Sequence, residues 1–210
     1  MFENKKPQNK GIIFILSSPS GGGKSSIARK LIGSYLNLSL SISVTTREKR
    51  TNEKEGIDYY YIDYSAYQKM LKEDELLESA EVYGYFYGTP RKFVLDHLGR
   101  GKDVLFDIDP QGAKAISKIK NLFSIVTIFI LPPSLEELER RMHLRGDNIK
   151  SIEGRMSKAR EYILSFQDYD YVVINDDFDK TCQDIASIFK AEKLKVKNQN
   201  LIQISSNYKL

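Results

Sequence analysis

Four continuous apolar runs constrain what this chain can fold into: "GIIFIL" at 11–16, "DVLFDID" at 103–109, "SIVTIFIL" at 124–131 and "YVVIN" at 171–175. They lack the polar alternation of a strand with one wet face and are rich in β-branched residues, so each reads as a strand covered on both sides. Helical patterns lie between them: Ser25–Leu36 with Ile27, Leu31, Ile32 and Tyr35 on one side, then Gln111–Ile119, Ser134–Leu144 and Ile149–Phe166. Ser134 with Glu137 forms a capping box, and Pro110 suits a first helical position. Strand alternating with helix predicts an α/β fold, a parallel-sheet core with helices on both faces.

Residues 38–100 break this rhythm. "LSLSISV" alternates Leu38, Leu40, Ile42 and Val44 with serines and predicts a half-exposed strand, and "DYYYID" and "LLESAEVYGYFYG" predict further short strands. Ser65 with Gln68 predicts a helix cap between them, and Thr89 followed by Pro90 a second helix start that ends near Gly99 and Gly101. Residues 43–100 therefore read as a mixed α/β insertion on the parallel core. The last stretch, 196–210, lacks periodicity and reads as a frayed tail.

At 210 residues the chain is long enough for one sizeable core and short for two domains. Lys and Arg number 32 against 28 Asp and Glu, a net charge of +4 that gives no case for a nucleic-acid partner but suits anionic small molecules. One cysteine, Cys182, excludes an internal disulfide framework, and two histidines exclude a histidine-rich metal site. A reducing cytoplasm fits this usage. Lys5, Lys6 and Lys10 precede Ile12–Leu16 in imitation of a signal peptide, but that apolar run is shorter than the usual ~7–15 residues. No stretch approaches the ~20 apolar residues of a membrane span.

The stretch "SSPSGGGKSS", Ser17–Ser26, sits between the first apolar run and the first helix. Glycines there let backbone amides approach phosphate oxygens closely at a helix N-terminus, where partial positive charge favours them. Ser18, Pro19, Ser20, Gly21, Gly22, Gly23, Lys24, Ser25 and Ser26 form the candidate phosphate-binding loop. Lys24 supplies a cation for the β- and γ-phosphates and Ser25 a hydroxyl for Mg²⁺. Ser18 stands where the formal motif has its first glycine. The core is thus expected to be of the P-loop NTPase type. Such a loop names no reaction, because GTPases, ATPases and kinases share it. The guanine-reading pattern of GTPases and the signature set of protein kinases are missing from the chain.

In "SVTTREKRTNEKEGIDYYYI", Arg47 and Arg50 lie in a polar loop with Glu53 and Tyr59 beyond. Guanidinium forks and phenolic hydroxyls suit a second phosphate that must be held in fixed orientation. Glu78, Tyr87 and Thr89 surround a glycine-containing turn, and a glutamate there can accept two adjacent donors of a base. Arg141 and Arg145, one helical turn apart, can point to the same place, although Glu137 stands four residues before Arg141 and can pair with it. Asp107 ends an apolar strand, where a bare carboxylate is expensive.

Taken in order, "SPSGxGKSS", "TTRxxR", "EGxDYYY", "YGTP", "DIDxQG", "FILPPS" and "VINDDFD" resemble the guanylate kinase family over about residues 10–195. The resemblance implies a nucleoside monophosphate kinase with a parallel core (10–42, 101–139 and 157–195), a GMP-binding insertion (43–100) and a small helical lid (140–156). It implies that Ser43, Glu78 and Thr89 face guanine, that Arg47, Arg50, Tyr59 and Tyr87 hold the monophosphate, and that Asp107 and Asp109 lie near acceptor and metal. Arg141, Arg145 and Arg155 match the arginines that close over the donor phosphates, and Asn175 the donor-base side. The activity implied is γ-phosphoryl transfer from ATP to GMP with Mg²⁺, in the cytoplasm, with closure of 43–100 and 140–156 over the core. Lys49 and Asn52 depart from the family's usual proline and glycine, and the lid is about one residue short before Arg155. Two alternatives remain at this stage: a kinase for a sugar phosphate, which has little use for a guanine set, and a non-catalytic binding module of the same family, which has little use for Lys24 and the arginines.

Overall fold

The computed structural model describes residues 11–51, 53–199 and 201–207; Asn52 and the basic N-terminal residues lie outside these. The first half of the chain gives β1 (Ile13–Ser17), α1 (Lys24–Ser34), β2 (Leu38–Ser41), β3 (Val44–Thr45), β4 (Tyr60–Tyr61), α2 (Tyr64–Lys72), β5 (Leu76–Val82), β6 (Tyr85–Pro90) and α3 (Arg91–Gly99). The second half gives β7 (Asp103–Asp107), α4 (Pro110–Ser117), β8 (Ile125–Leu131), α5 (Leu135–Leu144), α6 (Ile149–Leu164), β9 (Tyr171–Ile174), α7 (Phe178–Leu194) and α8 (Leu201–Asn207).

A five-stranded sheet runs in the order β2-β7-β1-β8-β9, and every pairing in it is parallel. Its strands are the four apolar runs plus β2. Alternate residues of the first run serve opposite faces: Ile12, Phe14 and Leu16 pack with Ile27 and Leu31 of α1 and Ile185 and Phe189 of α7. Ile13 and Ile15 pack with Val94 and Leu98 of α3 and Ala113 and Ile116 of α4. Both faces are dry, so both positions of the alternation are apolar. Each large side chain so buried stabilises the fold by about 1.5–3 kcal/mol. The α/β class with a parallel sheet and helices on both faces is as expected.

A smaller sheet, order β4-β3-β6-β5, forms the insertion. "LSLSISV" is not one strand. Its first half, β2, is an edge of the main sheet, and after Ile42–Ser43 the chain turns into β3 of the small sheet, which pairs antiparallel to β6. The second helix starts differently too: Asp63, not Ser65, caps α2 by accepting from the Ala66 amide at 2.7 Å. Thr89 does not cap α3. It lies in β6, fully buried, and its hydroxyl donates to Glu78 at 2.7 Å.

Packing also moves the boundaries expected from sequence. Because α3 fills the main core, the insertion closes at Pro90 rather than at 100. Leu138 and Met142 of α5 cluster with Ile152 and Ala159 of α6, so the lid's packing unit is the whole α5–α6 hairpin rather than 140–156. The tail continues as α8 rather than fraying from 196, and ahead of it Lys193 and Lys195 pair with Asp103 and Glu192. Among the described residues, no helix is long and apolar enough to cross a membrane.

Candidate active site

β1 lies at the centre of the sheet, and the chain leaves it to one side through α1 and crosses to the other through α4. In such sheets ligands sit beyond the carboxyl ends of the strands, where strand order reverses. The glycine loop occupies this place. Gly21 and Gly23 adopt φ of 94° and 95°, a region that L side chains rarely enter. At Gly23 a Cβ would also run into the Asn175 amide nitrogen. The loop feeds α1, whose first-turn amides have no intrahelical acceptor, with Lys24 as the first helical residue and Ser25 and Ser26 exposed.

A cleft of about 800 Å³ runs from this loop to the small sheet. Ser18–Ser26, Asp107 and Asp109 line its core side; Ser43, Arg47, Arg50, Glu53, Tyr59, Glu78 and Tyr87 line the insertion side; Arg141, Arg145 and Arg155 reach in from the α5–α6 hairpin. The fold thus gathers residues from 18 to 155 around one space. Thr89 and Asn175 do not line it. Thr89 stands behind Glu78 as its hydrogen-bond donor, and Asn175, 4% exposed, donates from Nδ2 to the Gly22 carbonyl at 2.9 Å and so props the loop from below.

On the core side, Lys24 Nζ meets Asp107 Oδ1 at 2.7 Å, across the paired ends of β1 and β7. The strand-end carboxylate therefore has a partner in the cation that an incoming phosphate would share. Asp109 caps α4 through Oδ1, accepting from the Gly112 amide at 2.9 Å, while its Oδ2 is buried without a hydrogen-bond partner.

On the insertion side, Glu53 organises the cations. It accepts both of its contacts from Arg47 Nη2, at 2.7 and 2.9 Å, and further bonds from the Arg50 amide at 2.9 Å and the Tyr61 hydroxyl at 2.8 Å. Burial pushes this carboxyl up, but those donors outweigh it and hold the group down at about 2. Arg47 also lies over the Tyr59 ring at 5.4 Å and the Tyr61 ring at 6.0 Å, a packing that fixes its guanidinium in place. Arg50 is looser, with its guanidinium 3.8 Å from Glu53 and its side chain 45% exposed.

Glu78, 8% exposed, is a buried carboxylate of the cleft wall in the small sheet. Burial drives its pKa up to about 7, the Thr89 hydroxyl pulling it down and the charge of Asp109 pushing it further up. Such a group lacks enough donors of its own, and a ligand offering two would complete it.

In the helical hairpin, Arg141 pairs with Glu137 at 2.8 Å, as the spacing allowed, and also donates to the Asn175 carbonyl at 3.0 Å. Arg145 and Arg155 both pair with Asp147, Arg155 at 2.5 Å, and Arg145 reaches Ser20 Oγ of the loop at 3.3 Å. Sequence reasoning missed Asp147, Tyr61, and Arg29 paired with Asp58 across the cleft. Tyr61 was legible: it stands two residues from Tyr59 in an extended segment, which brings the two rings to 5.9 Å of each other. Asp147 sits just after Gly146, whose φ of 82° makes the turn that aims it back at both arginines.

Magnesium suits this donor set. A hard cation that keeps several waters and takes one or two protein oxygens could use the exposed Ser25 hydroxyl and the Asp107 carboxylate, which line the same cleft, with phosphates supplying the rest.

A glycine loop at the centre of a parallel sheet, facing a second set of anchored guanidinium groups, defines a P-loop nucleotide-binding protein. The guanylate kinase family matches the chain over residues 10–192. Guanylate kinase of Rickettsia prowazekii is 49% identical over 191 residues, covering 90% of this chain and 96% of that protein. Guanylate kinase of Caulobacter vibrioides is 45% identical over 188 residues, covering 89% and 88%. A crystal structure of guanylate kinase from Anaplasma phagocytophilum superposes with a TM-score of 0.80 at 36% identity, covering 98% of this chain and all of that one. The chain belongs to the guanylate kinase family.

Proposed function

We propose that the chain transfers the γ-phosphoryl group of ATP to GMP, giving ADP and GDP. The observation that carries this is the opposition, across one cleft, of a phosphate loop ending in Lys24 and an anchored Arg47–Glu53–Tyr59 set with buried Glu78 beyond it. The donor phosphates lie along the loop and the first turn of α1, and Arg47, Arg50, Tyr59 and Tyr87 hold the acceptor phosphate. Glu78, steadied by Thr89, accepts from guanine N1–H and one N2 hydrogen; the unpartnered Asp109 Oδ2 suits the other N2 hydrogen, and the Ser43 hydroxyl, which lines the same cleft, can donate to an acceptor of the base. Adenine presents a lone pair at N1, which a buried carboxylate rejects.

Mg²⁺, held through Ser25 and Asp107, would neutralise charge on the donor phosphates. The chain's own residues do the rest by position and charge: Arg47 keeps the attacking phosphate oxygen in line, and Lys24, Arg141, Arg145 and Arg155 offset charge on the migrating group. No side chain becomes phosphorylated. Closure of the insertion and of the α5–α6 hairpin on the core excludes water, which would otherwise take the phosphoryl group.

Turnover of ATP with GMP, AMP and a sugar phosphate in parallel tests the reading. GDP formation from GMP, with little reaction of the other two, is expected. Lys24→Ala should lower kcat by about 10²–10³-fold, the scale for losing one preorganised charge. Phosphorylation of the sugar phosphate, or tight GMP binding without turnover, would overturn it.

A further inference from the structure

The β5–β6 hairpin turns in two residues, Tyr83 and Gly84, between the closing pair Val82 and Tyr85. Both have positive φ, 53° and 80°. This is the turn that asparagine followed by glycine makes best, and a bulky aromatic in its first position costs about 1–2 kcal/mol of backbone strain. Strain of that kind persists where something else holds the residue. Here two cations of α6 do so: Lys158 Nζ lies 4.7 Å and the Arg155 guanidinium 5.8 Å from the Tyr83 ring centre. The ring lines the cleft, at the tip of the hairpin whose strands carry Glu78 and Tyr87.

We propose that Tyr83 is a positioning residue, a cation–π clasp that ties the acceptor-binding hairpin to α6 and fixes Arg155 between its ring and Asp147. Asp147 pairs with the guanidinium at 2.5 Å, and the ring centre lies 5.8 Å from its carbon. Arg155 is only 15% exposed in this arrangement, so the attraction is less diluted by water than at an open surface. Through the clasp, acceptor binding on the hairpin and arginine placement over the donor become one event. The assignment rests on the proposed reaction for its kinetic meaning, and on the contacts alone for its existence.

Tyr83→Asn is the informative variant, because it suits the turn better than tyrosine and so should fold at least as well. Relative to the parent chain, it should lower kcat by about 3–10-fold and weaken the enhancement of ATP binding by bound GMP, whereas Tyr83→Phe, which keeps the ring, should stay within about twofold of the parent. Lys158→Ala should lower Tm in the parent and leave it unchanged in the Tyr83→Asn background, a readout that needs no turnover. Equal kinetics for Tyr83→Asn and the parent, equal losses for Phe and Asn, or the same Tm shift from Lys158→Ala in both backgrounds would each overturn the clasp. A parent chain that binds GMP but makes no GDP would instead refute the reaction, and the Tm comparison would still decide the clasp.

Discussion

Burial holds Glu78 up near pH 7, yet in the proposed reading guanine's two donors need it ionised. Its folded pKa lies above the ordinary 4.5, so between those values the folded state binds more protons than the unfolded one. The free protein therefore loses stability as pH rises through that window, and the loss is complete above about pH 7. Glu78→Gln cannot ionise and should raise stability at about pH 8 by on the order of 1–3 kcal/mol, with little change near pH 4.5. Thermal melts at the two pH values check this, and an equal shift at both would mean that Glu78 is not held in its neutral form. Guanine reverses the preference. GMP binding at about pH 6.5 should release a proton, and affinity should weaken on further acidification, as calorimetry in buffers of different ionisation heat would read.

The α5–α6 hairpin has its own small core of Leu138, Met142, Ile152 and Ala159, apart from the two clusters that flank the main sheet. Removing most of the fully buried Met142 side chain should cost about 2–5 kcal/mol. Because the cluster is separate, Met142→Ala should speed hydrogen exchange across 135–164 while leaving β1, β7 and β8 protected. Uniform loss of protection over the whole chain would show that the hairpin and the sheet unfold together. This division by elements also explains what could be read beforehand. The main strands were legible because both of their faces are dry, and the capping box at Ser134 because its chemistry is local, with the Glu137 amide donating at 3.1 Å. β4 falls within the predicted "DYYYID" strand, but β3, two residues long, is too short to show that the chain leaves the main sheet after β2. Thr89 and Ser65 look like caps in isolation; a buried carboxylate across the hairpin claims the first, and Asp63 reaches α2 before the second. The arginines, Glu53 and the glycine loop could be named from sequence, but not that Glu53 anchors Arg47 six residues away, nor that Asp147 holds Arg145 and Arg155 together, because turns bring these groups back on one another.

Across the whole molecule, three bodies meet at one cleft: the parallel sheet with its phosphate loop, the small sheet with Glu53 and Glu78, and the helical hairpin with its arginines. Each of these cleft cations has a carboxylate: Lys24 has Asp107, Arg47 has Glu53, Arg141 has Glu137, and Arg145 and Arg155 share Asp147. Preorganised charges cost little reorganisation when phosphates arrive, and that is where phosphoryl transfer gains most of its rate. In the proposed reading, by contrast, rejection of the wrong acceptor base rests chiefly on buried Glu78. The measurement that bears on it most directly is kcat/KM with GMP, inosine monophosphate and AMP under one condition. Inosine monophosphate keeps N1–H and lacks the amine, so it should fall below GMP by about 10–100-fold, and AMP, which opposes the carboxylate with a lone pair, by about 10³-fold or more. Inosine monophosphate equal to GMP, or AMP within about tenfold of it, would contradict recognition of guanine by Glu78.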